Sequence, residues 1–106
     1  MMKAKVITIC GSLRFIKEMI EIAEKMELRG LCMLLPIYNP MRQNKDAFTE
    51  NELLMLAKTH KEKIRLADAI LVVNVGGYIG TSTKNEIEFA KSLNKEILYY
   101  TELNNI

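Results

Sequence analysis

Ala4-Lys5-Val6-Ile7-Thr8-Ile9-Cys10-Gly11 is a short apolar run with four consecutive β-branched residues, closed by a glycine. Its core has no polar/apolar alternation, so it predicts a strand covered on both faces, as in parallel sheets. From Arg14 to Arg29 the period changes. Ile16, Met19, Ile20, Ala23 and Met26 recur at three- and four-residue spacing with charges between them, and Gly30 stops the pattern. This predicts an amphipathic helix packed on the sheet. Leu31 to Leu35 reads as a second strand, ended by Pro36.

Residues Pro36 to Glu50 show little periodicity, and a connection of about fifteen residues where compact domains use about four to six predicts a lid or binding segment. Thr49 and Glu52 form a capping box for a second helix, whose expected buried stripe is Leu53, Leu56 or Ala57, His60, Ile64 and Ala67. Ala69 to Val73 is a third strand, Val75 to Ser82 a glycine-rich turn, Lys84 to Leu93 a third helix and Glu96 to Tyr100 a last strand. The order βαβαβαβ with right-handed crossovers predicts a small flavodoxin-like three-layer α/β/α sandwich on a four-stranded parallel sheet, one domain over residues 1–106. Ligands of such sheets sit beyond the carboxyl ends of the strands. Here that rim is Gly11 to Phe15, the Pro36 to Glu50 loop, and Asn74 to Glu86.

With 106 residues the chain suffices for one compact domain and not for two. Fifteen Lys and Arg against thirteen Asp and Glu leave a net charge of +2, which provides no basic field for a nucleic-acid polymer. No apolar run reaches the roughly 18 residues of a membrane span, and the N-terminus lacks a signal-peptide layout, so a soluble, cytoplasmic protein is expected. Cys10 and Cys32 both fall in predicted buried strands and read as reduced core thiols, not a disulfide. A single histidine argues against a structural zinc site, and neither a metal nor a cofactor is expected.

Four constellations carry the chemistry. Gly11-Ser12-Leu13-Arg14 follows a strand and opens a helix, where free N–H groups, a hydroxyl and a guanidinium suit a phosphate or carboxylate; equally, Gly11 makes the turn, Ser12 caps and Arg14 is solvated. In the second turn, Gly76, Gly77 and Gly80 allow close backbone approach to a ligand, and the hydroxyls of Thr81 and Ser82 can bond its oxygens. Tyr78 and Ile79 at the tip either wall a flat base or fold back onto the core or a partner subunit. Glu86 stands at the ligand rim, as a nucleophile or base, or as the far end of a Thr83-x-x-Glu86 capping box. Glu88 lies about 200° round the helix and reads as solvated surface. His60 is either a satisfied core histidine or a catalytic group.

The chain resembles the nucleoside 2-deoxyribosyltransferase superfamily, which includes the deoxynucleoside monophosphate N-glycosidases. The resemblance runs from Ile9-Cys10-Gly11-Ser12 to the last strand and is most specific in Ala67-Asp68-Ala69-Ile70-Leu71-Val72-Val73, the turn, and Asn85-Glu86-Ile87-Glu88-Phe89-Ala90. Family members pair an Ala-Asp apolar strand with a glycine- or serine-rich turn and a helix start whose Glu is the nucleophile. The resemblance places that nucleophile at Glu86, with Glu88 where the family usually has Gly. It assigns Gly11, Ser12 and Arg14 to substrate and its 5'-phosphate, and Ser82 to phosphate. Gly77, Tyr78, Gly80 and Thr81 complete the expected substrate-binding set. The family's second carboxylate falls at His60, which then donates a proton to the leaving base or orients Glu86. The family's C-terminal extension is short here, with Asn104 and Asn105 as its only candidates.

The resemblance implies attack of Glu86 on the anomeric carbon, a covalent glycosyl-enzyme, and hydrolysis or transfer with retained configuration. The expected partner is a small-molecule nucleoside or nucleotide. A shallow site and the expected surface positions of Met33, Met41, Met55 and Tyr78 point to a homodimer or larger homo-oligomer. Two alternatives remain: a catalytically inactive nucleotide-binding module of the same fold, and a phosphoribohydrolase of the cytokinin-activating type, which Cys10-Gly11-Ser12 fits but whose glycine-rich turn this chain matches only in part.

Overall fold

The computed structural model describes residues 4–42 and 44–103. Four strands and three helices alternate: β1 (Val6–Cys10), α1 (Ile16–Glu27), β2 (Cys32–Leu34), α2 (Glu50–Leu66), β3 (Ala69–Val72), α3 (Thr81–Ser92) and β4 (Glu96–Tyr99). All pairings are parallel and the sheet order is β2-β1-β3-β4. The chain steps outward from β1 to β2, crosses back over β1 to β3, and continues to β4. The carboxyl ends of β1 and β3 therefore flank the point where connections diverge, which is where α/β sheets open a crevice.

Two apolar layers sandwich the sheet. On one face Ile7, Ile9, Ala69 and Leu71 pack against Met19, Ile22, Ala23 and Met26 of α1. On the other, Cys10, Ile70 and Val72 pack against Ile64 of α2 and Ile87 and Ala90 of α3. β1 and β3 are central and covered on both sides, in keeping with their unbroken apolar sequences. Thr8 is buried in this layer with its hydroxyl donating to the Lys63 carbonyl at 2.8 Å. Asp68, from the Ala-Asp motif, sits at the opposite end of the sheet, accepting the Val6 amide at 2.8 Å.

Several expectations are corrected. Cys32 is exposed, not buried, because β2 is an edge strand and only α1 covers it, through Met33. Met33 is accordingly buried instead of surface-facing. In α1 the buried residues are Met19, Ile22, Ala23 and Met26, so Ile22 joins the stripe in place of Ile20, which is half exposed. Of the stripe expected in α2, His60, Ile64 and the following Ala67 are buried and Leu56, one of its two alternatives, is partly buried, whereas Leu53 and Ala57 are exposed. A 17-residue helix is about 25 Å long, and its amino-terminal half overhangs strands of three to five residues to wall the ligand rim. The Thr49–Glu52 capping box forms as expected. No helix among the described residues is long and apolar enough to cross a membrane.

Candidate functional site

A cleft of about 930 Å³ lies at the carboxyl edge of the sheet, bordered by the segments after β1, β2 and β3 and by the overhanging half of α2. Gly11 is required at its floor: a Cβ there would stand 2.9 Å from the Val73 carbonyl oxygen and 2.9 Å from the end of Met19. Ser12 accepts the Arg14 amide at 3.3 Å and so turns the chain out of β1. Arg14 crosses to the other loop, donating to the Tyr78 hydroxyl at 3.2 Å with its guanidinium carbon 4.1 Å from that ring's centre. Phe15 meets the same ring edge-on at 6.0 Å.

The turn after β3 divides by role. Gly76 and Gly77 take positive φ angles of 65° and 84° in open space, and the Gly77 amide donates to the Asn74 carbonyl at 2.7 Å. Gly77 shapes the turn and does not line the cleft, unlike Tyr78, Gly80, Thr81 and Ser82. Ile79 folds back on the core, while Tyr78 remains 42% exposed. α3 starts at Thr81, three residues earlier than the sequence suggests, with Gly80 as N-cap and no side-chain cap. Thr81, Ser82 and Thr83 line the cleft, and no N-cap side chain accepts from the amides of this first turn, which suits an anion.

The early start also decides the geometry of Glu86. It lies in the second turn of α3, so the Thr83–Glu86 capping box does not form, and Thr83 is buried. Glu86 instead points to the cleft floor, its Oε1 3.9 Å from Nε2 of His60. The same nitrogen is 3.7 Å from Sγ of Cys10. Burial pushes the Glu86 carboxyl up to about 7, against a Cys10 hydrogen bond and the charge of Lys61. Burial, then the charge of Lys63, brings His60 down to about 4, against the Ile9 backbone. Burial, then the charge of Glu86 and a hydrogen bond to it, raises the Cys10 thiol well above its ordinary value. At pH 7 the imidazole is thus neutral, and its contact with Glu86 is not an ion pair. His60 Nδ1 is buried with no hydrogen-bond partner among the described residues. Glu88 is exposed beside Lys91, at 3.6 Å.

Cys10 was legible only as a core thiol. The signal was present in the alternation that puts Thr8 and Cys10 together on the α2/α3 face of β1. The Pro36 to Glu50 loop lines the cleft with Tyr38, Asn39, Arg42 and Phe48, the last two stacked at 4.1 Å. Lys63 also borders it, donating to the Leu35 carbonyl at 2.7 Å. Asn104 and Asn105 lie outside the described residues.

No protein-family model matches the chain, and no curated protein matches it in sequence. Among solved structures, it superposes on a 2-desoxiribosyltransferase from Leishmania mexicana with a TM-score of 0.65 at 18% identity, covering 91% of this chain and 63% of that one. It superposes on a conserved protein from Enterococcus faecalis V583 with a TM-score of 0.64 at 19% identity, covering 92% of this chain and 63% of that one. The chain thus has the fold of a deoxyribosyltransferase and spans a little under two thirds of each neighbour's length.

Proposed function

We propose that this chain cleaves or transfers the N-glycosidic bond of a deoxynucleoside or nucleoside, or of its 5'-monophosphate, through Glu86. The observation that carries this reading is the carboxyl of Glu86, mostly buried yet open to the cleft at the divergence of β1 and β3. The neighbour named as a 2-desoxiribosyltransferase supports the same class of chemistry.

In this mechanism a Glu86 carboxylate oxygen bonds the anomeric carbon as the C–N bond breaks and its electron pair leaves with the base. The ester is then opened by water, giving hydrolysis, or by a second base, giving transfer, with configuration retained overall. A histidine held neutral down to about pH 4 is poorly suited to carry an acidic proton at neutral pH. We therefore assign His60 to positioning, its neutral ring packed beside the Glu86 carboxyl with Nε2 at 3.9 Å, and the leaving base takes its proton from solvent in the cleft. Tyr78 offers a flat apolar wall. Arg14, Ser82 and the uncapped start of α3 suit a 5'-phosphate.

A homo-oligomer accompanies this function, supported by Met41, Leu54 and Met55, exposed at 88%, 65% and 57%; a monomeric mass by light scattering would refute that part. A second reading, a nucleotide-binding module without turnover, is favoured by His60 standing where the resembled family has a carboxylate. The deciding experiment incubates the protein with nucleosides, deoxynucleosides and their monophosphates, alone and with a free base, and follows base release or exchange. Product from wild type and none from Glu86→Gln supports the enzyme. Ligand-induced thermal stabilisation without product supports the module.

A further inference from the structure

Cys10, His60 and Glu86 come from three different elements, yet one ligand-type atom of each lies within 4.8 Å of the other two. The separations that are most closely defined are 3.7 Å from sulfur to Nε2 and 3.9 Å from Nε2 to the carboxylate oxygen. Bond lengths of about 2.3 Å for Zn–S and about 2.0 to 2.2 Å for Zn–N and Zn–O, set at tetrahedral angles, place ligand atoms roughly 3.3 to 3.6 Å apart. Contraction by a few tenths of an ångström brings both of those pairs to that spacing.

The chemistry of the three atoms agrees with the spacing. A thiol, an imidazole and a carboxyl face one another at the end of a buried strand, and between them they present more lone pairs than protons. Among the described residues no lysine hydrogen-bonds the three groups: Lys63 donates to the Leu35 carbonyl and Lys61 lies 5.6 Å from the Phe89 ring centre, so the two act on Glu86 and His60 only through their charge. Cys10 is fully buried and His60 nearly so, while Glu86 keeps 19% of its side chain exposed toward the cleft, which leaves an approach for a cation and a fourth ligand.

We propose that Cys10 Sγ, His60 Nε2 and a Glu86 carboxylate oxygen form a three-ligand site for a thiophilic divalent cation of the Zn²⁺ class, with the fourth position open to the cleft. The sulfur selects Zn²⁺ or Co²⁺ over Mg²⁺ and Ca²⁺, which take oxygen ligands. On binding, the thiol proton and any proton on the Glu86 carboxyl leave to solvent and the imidazole carries its single proton on Nδ1, so that the cation is held by a thiolate, a carboxylate oxygen and the Nε2 lone pair. A cation held there also occupies the Glu86 carboxylate; that consequence alone rests on the proposed function.

The test uses the reduced full chain, freed of metal by chelation and titrated with Co²⁺ in the absence of any nucleotide. The expected result is a 1:1 complex with a thiolate-to-cobalt charge-transfer absorption, displaced by Zn²⁺ and not by Mg²⁺. The chain has two cysteines, so the band persists in Cys32→Ser and is lost in Cys10→Ser. His60→Gln weakens binding by more than about tenfold. A folded wild-type protein without the band, or a band that disappears in Cys32→Ser, overturns the site. If Cys10→Ser does not fold, Cys32→Ser still decides, because Cys10 is then the sole thiol. Absorbance reads metal binding directly, so failure of the site and failure of the glycosidic reading are separate results. Base release that falls with Zn²⁺ and returns with chelator reads the consequence.

Discussion

Glu86 Oε1 on α3 stands 3.9 Å from His60 Nε2 on α2, and burial drives the two groups toward neutrality from opposite directions. The carboxyl holds its proton up to about pH 7 and the imidazole refuses one down to about pH 4. Between those values the floor of the cleft is mainly uncharged, which is how a mostly buried acid and base coexist without an ion pair.

That arrangement has a stability signature. Glu86 shifts from 4.5 to about 7 on folding, so across this window the folded state keeps a proton that the unfolded state has lost, and stability falls as pH rises. His60 shifts from 6.5 to about 4, so the unfolded state holds the extra proton and stability falls as pH drops. Each shift corresponds to roughly 3 kcal/mol. The two slopes oppose each other between about pH 4.5 and 6.5. Urea unfolding across pH is expected to show Glu86→Gln, which keeps only the His60 shift, gaining stability from about pH 4 to 6.5. His60→Gln is expected to lose it from pH 4.5 to 7. Parallel profiles for the two variants would contradict the assigned shifts.

Under the proposed mechanism the attacking group is the Glu86 carboxylate, so base release is expected to rise with pH through about 7. Below that value the rate falls about tenfold per pH unit. A pH–rate profile with a single limb near the ordinary carboxylate range would place the titrating group elsewhere.

Under the proposed mechanism, replacing Glu86 removes the covalent step and keeps the cleft. Glu86→Gln is expected to lose base release by at least about a thousandfold. It should retain nucleotide binding, as seen by thermal shift. Loss of binding together with activity would indicate a folding defect instead.

Arg14 is held by the Tyr78 hydroxyl and stacks on its ring, which fixes a guanidinium at the cleft edge. If it receives a 5'-phosphate, Arg14→Ala raises KM for a monophosphate about tenfold and leaves KM for the matching nucleoside nearly unchanged. Equal effects on both substrates would argue for a purely structural Arg14.

Two glycines separate close packing from turn geometry. Gly11→Ala drives a Cβ to 2.9 Å from the Val73 carbonyl and is expected to cost more than about 2 kcal/mol. Gly77→Ala meets nothing within 4 Å and has only its positive φ to contend with, costing roughly 1 kcal/mol. Chemical denaturation of both variants compares them directly.

The sequence by itself determined the order of elements and the covered central strands. A run such as Val6 to Cys10 can be satisfied only between two layers, and a local pair such as Thr49 and Glu52 starts a helix without help from the rest of the chain. It also placed Gly11, Tyr78, Ser82 and Glu86 at one edge of a parallel sheet. Tertiary structure decided the rest. Periodicity reports which way a side chain points from its own element, not what stands opposite. Residues 10, 60 and 86 meet because the chain crosses over β1 to form the order β2-β1-β3-β4, stacking the start of α3 and the middle of α2 over the end of β1. The role of Glu86 turned on a start of α3 three residues early, which moved it from a cap to the cleft floor. The exposure of Leu53 and Ala57 followed from a helix longer than the strands beneath it. Both outcomes are set by the lengths and positions of neighbouring elements, which no window of local sequence contains.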